Sequence, residues 1–177
     1  RVYVGMLCCK PSIEDAVQQI VCDRIRRLVL LPLFPQYSST TTESCLNRFQ
    51  ALDRKLNLSA RIDIRIIREW YEEPLYIEAL ADLVRKCAQD FSPFDEDRIR
   101  LVYSAHSLPV RYIREGDPYL QQVRRTAGLL DRRLKGDFES CLAFQSKVGP
   151  VRWLRPSVRE VLRNLGKAGC HGVLLVP

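Results

Sequence analysis

LVYSAHSLP, Leu101 to Pro109, passes from an apolar strand into a polar turn that carries a histidine. Leu101-Val102-Tyr103 has the strand character, His106 follows at its end between the hydroxyls of Ser104 and Ser107, and Pro109 restrains the exit. Working outward, Tyr119 to Leu134 has helical period, and the charged, turn-rich Ser92 to Asp97 precedes the strand that Ile99 opens. The same alternation extends to both ends. Val2-Tyr3-Val4, Leu28 to Phe34, Ile62 to Ile67, Ile99 to Ser104, Leu142 to Gln145 and Val173 to Val176 read as strands. Ser12 to Cys22, Thr41 to Leu56, Leu75 to Phe91, Tyr119 to Leu134 and Val158 to Leu165 read as helices. Strands that alternate with helices imply parallel sheets, because each crossover returns the chain to the same end of the next strand. The segment around Pro93 is the expected boundary, which gives an α/β chain of two doubly wound, mainly parallel, three-layer lobes over residues 1–95 and 96–177. Three strands are expected in each.

Helix starts support this division. Ser12 with Asp15, and Thr40 with Glu43, have the spacing of a capping box. Glu14 and Asp15 then read as first-turn acids that complement a helix dipole, not as paired catalytic carboxylates. On the third helix, Ile77, Leu80, Val84, Cys87 and Phe91 are expected along one buried stripe.

Composition narrows the function classes. At 177 residues the chain is long enough for a substantial core, and no run approaches the ~20 apolar residues of a membrane span. No secretory leader is visible at Arg1. The seven cysteines are scattered, form no C-x-x-C unit and suit a reducing, cytoplasmic setting. A net charge of +7 invites a polyanion partner, yet Arg124, Arg125, Arg132, Arg133 and Lys135 are interleaved with acids, which fits a solvated face. Neither an aromatic platform nor a recognition motif for nucleic acid is present, and no glycine-rich phosphate loop points to a nucleotide.

In open parallel sheets ligands bind beyond the carboxyl ends of the strands. Three loops at such ends are rich: Pro35 to Thr40, Ala105 to Pro109 and Ser146 to Pro156. His106 stands in the second of them. An imidazole there can take a proton or bind a divalent cation; the plain alternative is a histidine that hydrogen-bonds a turn, and the strand-end position favours function. His171, in the turn before the last strand, is expected at the opposite end and reads as structural. Trp153, between Pro150 and Pro156, has a core role as its ordinary reading. Together with Phe34 and Tyr37 it also suits an apolar slot for a large planar ligand.

At these same loops the sequence resembles the ferrochelatase family. LPLFPQYSSTTT (Leu31 to Thr42), LVYSAHSLPVRYIREGDPY (Leu101 to Tyr119), FQSKVGPVRWLRPS (Phe144 to Ser157) and the weaker VGM…KPSIEDAV carry the likeness. It implies a two-lobed chelatase that inserts ferrous iron, as substrate, into a porphyrin such as protoporphyrin IX or coproporphyrin III held in an inter-lobe cleft, with no tightly bound cofactor in this chain. His106 matches the histidine proposed as proton acceptor, metal ligand or both. Phe34, Tyr37, Ser38, Ser104, Gln145 and Trp153 match porphyrin-contacting positions, and Tyr71 resembles a tyrosine near the pocket in some members. The physical division is reasonable: an aromatic slot can buckle the ring while a neutral imidazole collects a pyrrole proton.

The resemblance also implies a porphyrin-gripping segment ahead of Val4-Gly5-Met6 and, after Pro177, a loop with a histidine and a glutamate facing His106. By itself the chain is therefore expected to be nearly inactive. At Leu7-Cys8-Cys9 relatives commonly carry an arginine followed by an aromatic, and at Glu43 a glycine, a change that capping explains. Alternatives are a chelatase for another divalent metal, a non-catalytic tetrapyrrole-binding module and, last, a polyanion binder. Peripheral membrane contact is compatible with the sequence, which sets neither oligomeric state nor the choice of porphyrin.

Overall fold

The Ser12 hydroxyl accepts from the Asp15 backbone N–H, and the Asp15 carboxylate accepts from the Ser12 N–H at 2.8 Å, so helix α1 (Ile13–Cys22) begins where the capping box predicts. This computed structural model describes residues 1–91 and 99–177. The boundary expected at residues 95 and 96 lies outside the described residues. Among those described, two compact units form, Arg1–Trp70 and Tyr71–Pro177.

In the first unit, α1 leads to strand β1 (Arg27–Leu30), helix α2 (Thr42–Leu56) and strand β2 (Asp63–Ile66). The two strands pair in parallel, with Arg27 opposite Asp63 and Leu30 opposite Ile66. Ile13, Val17 and Ile20 recur at helical spacing on α1 and bury against Phe49 of α2, Leu58 and Ile62. Asn57 ends α2 in the left-handed region, at φ 50°, and donates its N–H to the Asp53 carbonyl.

Several expectations need correction here. Val2-Tyr3-Val4 forms no strand: among the described residues nothing pairs with it, and Val2 is 87% exposed. The first sheet therefore has two described strands, not three. Strand β1 stops at Leu30 instead of running to Phe34, because Pro32 and Pro35 cannot donate to a ladder and Leu33 turns out to solvent, 78% exposed. Helix α2 starts at Thr42 with no side-chain cap. Thr40 Oγ1 instead lies 2.9 Å from Ser38 Oγ, and the Glu43 N–H donates to the Ser38 carbonyl, so the capping explanation of Glu43 falls.

The second unit opens with helix α3 (Pro74–Ala88), whose first position is the proline that helix starts tolerate, followed by a 3-10 turn at Gln89–Phe91. Strand β3 (Ile99–His106), short helix α4 (Val110–Arg114), helix α5 (Tyr119–Arg133), strand β4 (Glu139–Gln145), helix α6 (Val158–Lys167) and strand β5 (Gly172–Val176) complete it. The sheet order is β4-β3-β5, with both neighbours parallel to β3.

Being central, β3 is buried on both faces. Leu101 and Tyr103 join Ala81 and Val84 of α3, Leu130 of α5, Leu134 and Leu174 in one cluster, while Val102 and Ser104 are buried on the other face. Cys87 leaves the expected α3 stripe and is exposed; Ala81 takes the buried place instead. The Tyr103 hydroxyl donates to the Asp131 carboxylate at 2.5 Å, and burial, then this partner, pushes the phenol well above its ordinary range. Among the described residues no helix is long and apolar enough to cross a membrane.

Helix α6 has a second capping box, Ser157 with Glu160. The bond from Lys10 and the Ser12 N–H hold the Asp15 carboxyl down to about 2, and the Ser157 N–H and Arg155 do the same for Glu160. Carboxyls depressed in the folded state stabilise it above their unfolded values near ~4 and lose that contribution as pH falls through the folded value. Far-UV circular dichroism is therefore expected to report helix loss between about pH 4 and pH 2. The double variant Asp15→Asn, Glu160→Gln should flatten this limb; an unchanged acid profile would count against the caps.

Candidate functional site

His106 is the last residue of β3 and is opposite Gln145, the last residue of β4, with its side chain exposed beyond the buried strand. The next residue turns inward. Ser107 is fully buried, donates its N–H to the Gln145 carbonyl at 2.8 Å and directs its hydroxyl to the Leu154 carbonyl at 3.4 Å. Two further backbone bonds stitch the loop after β3 to the loop after β4: Leu154 to the Leu108 carbonyl at 3.0 Å, and Val110 to the Arg152 carbonyl at 2.8 Å. Pro109 and Trp153 form an antiparallel bridge between them. Beneath lies an apolar floor of Leu108, Phe144 and Leu154, with Val110, Ile113, Tyr119 and Leu120 against it.

The segment Gly116-Asp117-Pro118-Tyr119 closes this end. Gly116 takes φ +97°, which suits a residue without Cβ, and the Asp117 carboxylate accepts from the Tyr119 N–H at 2.9 Å. The start of α5 is thereby set so that the Tyr119 hydroxyl donates to the His106 carbonyl at 2.9 Å. Burial chiefly, with the nearby Asp117 charge, pushes this phenol up to about 12, so it remains a donor across the physiological range. The Tyr119 bond was not anticipated from sequence. Its only signal was a tyrosine at the head of a helix that follows the histidine loop.

The structure thus brings together His106, Ser104, Gln145 and Trp153 at the carboxyl end of β3 and β4. Ser104, two residues before His106 and so on the same face of the strand, is 3% exposed. Its Oγ and the Trp153 Nε1 are buried with no hydrogen-bond partner among the described residues. Such groups carry a desolvation cost that a polar ligand atom can relieve. His171 stands directly before β5, at the opposite end of the parallel sheet, as expected.

Phe34, Tyr37 and Ser38 belong to the first unit's own strand-end loop. Phe34 is exposed and Tyr37 half-buried, while Ser38 is buried and its hydroxyl holds the Thr40 N–H at 3.2 Å. Trp70 anchors this loop: its Nε1 donates to the Pro32 carbonyl at 3.0 Å and its N–H to the Pro35 carbonyl at 2.9 Å. Tyr71 opens the second unit, where its carbonyl accepts from the Thr126 hydroxyl at 3.1 Å. Among the described residues, no group of three or more His, Cys, Asp or Glu side chains is placed to hold a metal ion.

Parallel sheets with an exposed imidazole at the tip of the central strand place the chain among open-sheet α/β proteins whose ligand site lies beyond the strand ends. Comparison then narrows the class. The family model described as Ferrochelatase matches residues 1–177, and the chain belongs to the ferrochelatase family. It is 44% identical over 181 residues to "Ferrochelatase-1, chloroplastic/mitochondrial" of Arabidopsis thaliana, covering all of this chain and 38% of that protein. It is 42% identical to a ferrochelatase of Geotalea uraniireducens and 39% identical to one of Aquifex aeolicus, covering all of this chain and 54% and 55% of those proteins. The chain thus spans from just over a third to just over half the length of these curated relatives.

Replacing Tyr119 by Phe removes the bond to the His106 carbonyl. Denaturant unfolding is expected to give a loss of about 1 kcal/mol at neutral pH. Because the phenol is raised in the folded state, its contribution is present below about pH 10 and fades as pH rises towards 12, so the variant should lose part of that alkaline decline.

Proposed function

We propose that the whole protein is a ferrochelatase: it inserts ferrous iron into a porphyrin, and this chain supplies the proton-accepting histidine and much of the ring-binding surface. The single observation that carries the reading is His106, an exposed imidazole at the end of a largely buried strand, held by its register with Gln145 and by the Tyr119 bond to its carbonyl.

The chemistry follows from the charge balance. A free-base porphyrin carries two pyrrole N–H protons, and capture of a dication by the four nitrogens expels both. A neutral imidazole takes one in the transition state, and solvent takes the other. For the nitrogen lone pairs to reach the incoming ion the ring must leave planarity, which a rigid aromatic wall favours. In this reading Trp153, Phe34 and Tyr37 offer aromatic contacts to the porphyrin, Gln145 and Ser104 offer polar ones, and Ser38 and Tyr71 are further contact residues. His106 contacts the incoming iron only while neutral, and its ring nitrogen accepts the pyrrole proton once the ion has passed to the macrocycle.

Protoporphyrin IX and coproporphyrin III both suit a flat aromatic slot. A reducing, cytoplasmic compartment fits seven cysteines that form no disulfide among the described residues. Peripheral membrane contact is part of the same proposal, since a protoporphyrin is poorly soluble in water.

The test is zinc insertion into a dicarboxylate porphyrin by the full-length protein, followed by fluorescence. His106→Ala is expected to lower kcat by at least ~10²-fold, the ordinary worth of a general base, with porphyrin affinity changed far less. Undiminished metallation would remove His106 from the mechanism. Tight porphyrin binding with no insertion by the wild-type protein would show a tetrapyrrole-binding module instead.

A further inference from the structure

The loop from Met6 to Pro11 takes no part in the chemistry above. Its ends are clamped: the Met6 N–H donates to the Pro11 carbonyl at 2.8 Å, Met6 bridges Ser12, and Ser12 is the cap that starts α1. Lys10 is held to Asp15 at 2.9 Å. Inside this closed loop the Cys9 thiol donates to the Met6 thioether sulfur at 3.0 Å, with Met6 40% exposed and Cys9 on the surface. A thioether is a weak acceptor, and an exposed thiol has water to bond instead, so the contact contributes little to folding. What it does is set two soft donors side by side in solvent.

From this juxtaposition of Met6 Sδ and Cys9 Sγ we propose a binding site for a soft monovalent cation, with Cu(I) as the biological example and Ag(I) as a redox-inert equivalent. Thiolate and thioether ligands select such ions over hard cations, and a closed-shell monocation is satisfied by few ligands. The Asp15 carboxylate that follows the loop is already engaged by Lys10 and the Ser12 N–H. On binding, the Cys9 S–H gives its proton to solvent, the thiolate forms a bond to the ion, and Met6 Sδ donates a lone pair. No electron is transferred.

Cys8 provides an internal control. It is exposed in the same loop, but the sulfur contact to Met6 is made by Cys9. The site does not depend on the chelatase reading, because its readout is metal affinity and not porphyrin metallation.

Competition with a chromogenic Cu(I) chelator under anaerobic, reducing conditions tests it in the full-length protein. Met6→Leu, a volume-conserving exchange at a half-exposed position, should weaken Cu(I) at least about tenfold, Cys9→Ser about a hundredfold, and Cys8→Ser less than about threefold. Unchanged affinity in Met6→Leu, or equal losses in Cys8→Ser and Cys9→Ser, would reduce the site to ordinary surface thiols and overturn the proposal. Should Met6→Leu fold poorly, the Met6 methyl resonance of the wild-type protein serves instead. A shift on adding one equivalent of Ag(I) supports the site, and an unmoved resonance refutes it.

Discussion

Strand β3 has parallel neighbours on both edges and buried side chains on both faces, and most of the second unit is arranged to meet that constraint. It pairs with β4 from Arg100 to His106 and with β5 from Ile99 to Tyr103, and one face packs on α3 and α5. A strand so enclosed can expose a residue only where it ends. Of its two ends, the carboxyl one emerges into the loops that follow β3 and β4, and His106 is the residue that stands there. The rigidity of the core is thus converted into a fixed position for one imidazole.

The loops beyond that point are long but not loose. Backbone bonds between 107–110 and 145–154, with the Pro109 to Trp153 bridge, make the two loops one layer over an apolar floor. The surface is stiff without being saturated, because Ser104 and Trp153 each retain a buried polar atom without a partner among the described residues. Stiffness with a few unsatisfied polar groups suits a surface that meets polar ligand atoms.

Much of this was legible in the residues, and the misses share a cause. Helix α1 was readable from Ser12, Asp15 and the spacing of Ile13, Val17 and Ile20, because caps and amphipathic periods are local. His106 was readable as a strand-end histidine because the strand before it is apolar and proline follows. Val2-Tyr3-Val4 has only the propensity of a strand, and a strand exists only with a hydrogen-bonded neighbour. Thr40 and Glu43 had capping spacing, but Ser38 competed for the same backbone groups and moved the helix start. Likewise Cys87 had the spacing of a stripe residue, but the buried face of α3 carries Ile77, Ala81 and Val84.

By itself, then, the sequence determined the alternation of strands and helices, the parallel pairing this forces, the capped start of α1 and the loop that would hold the histidine. All of these follow from interactions between residues close along the chain, or from a rule that links connection type to strand direction. Tertiary structure alone decided that β3 would be central, that Gln145 would stand opposite His106, that Tyr119 would hold the histidine's carbonyl, and that Met6 and Cys9 would meet. Contacts of that kind depend on where buried surfaces direct the backbone in space, and no local pattern of residue types encodes that direction.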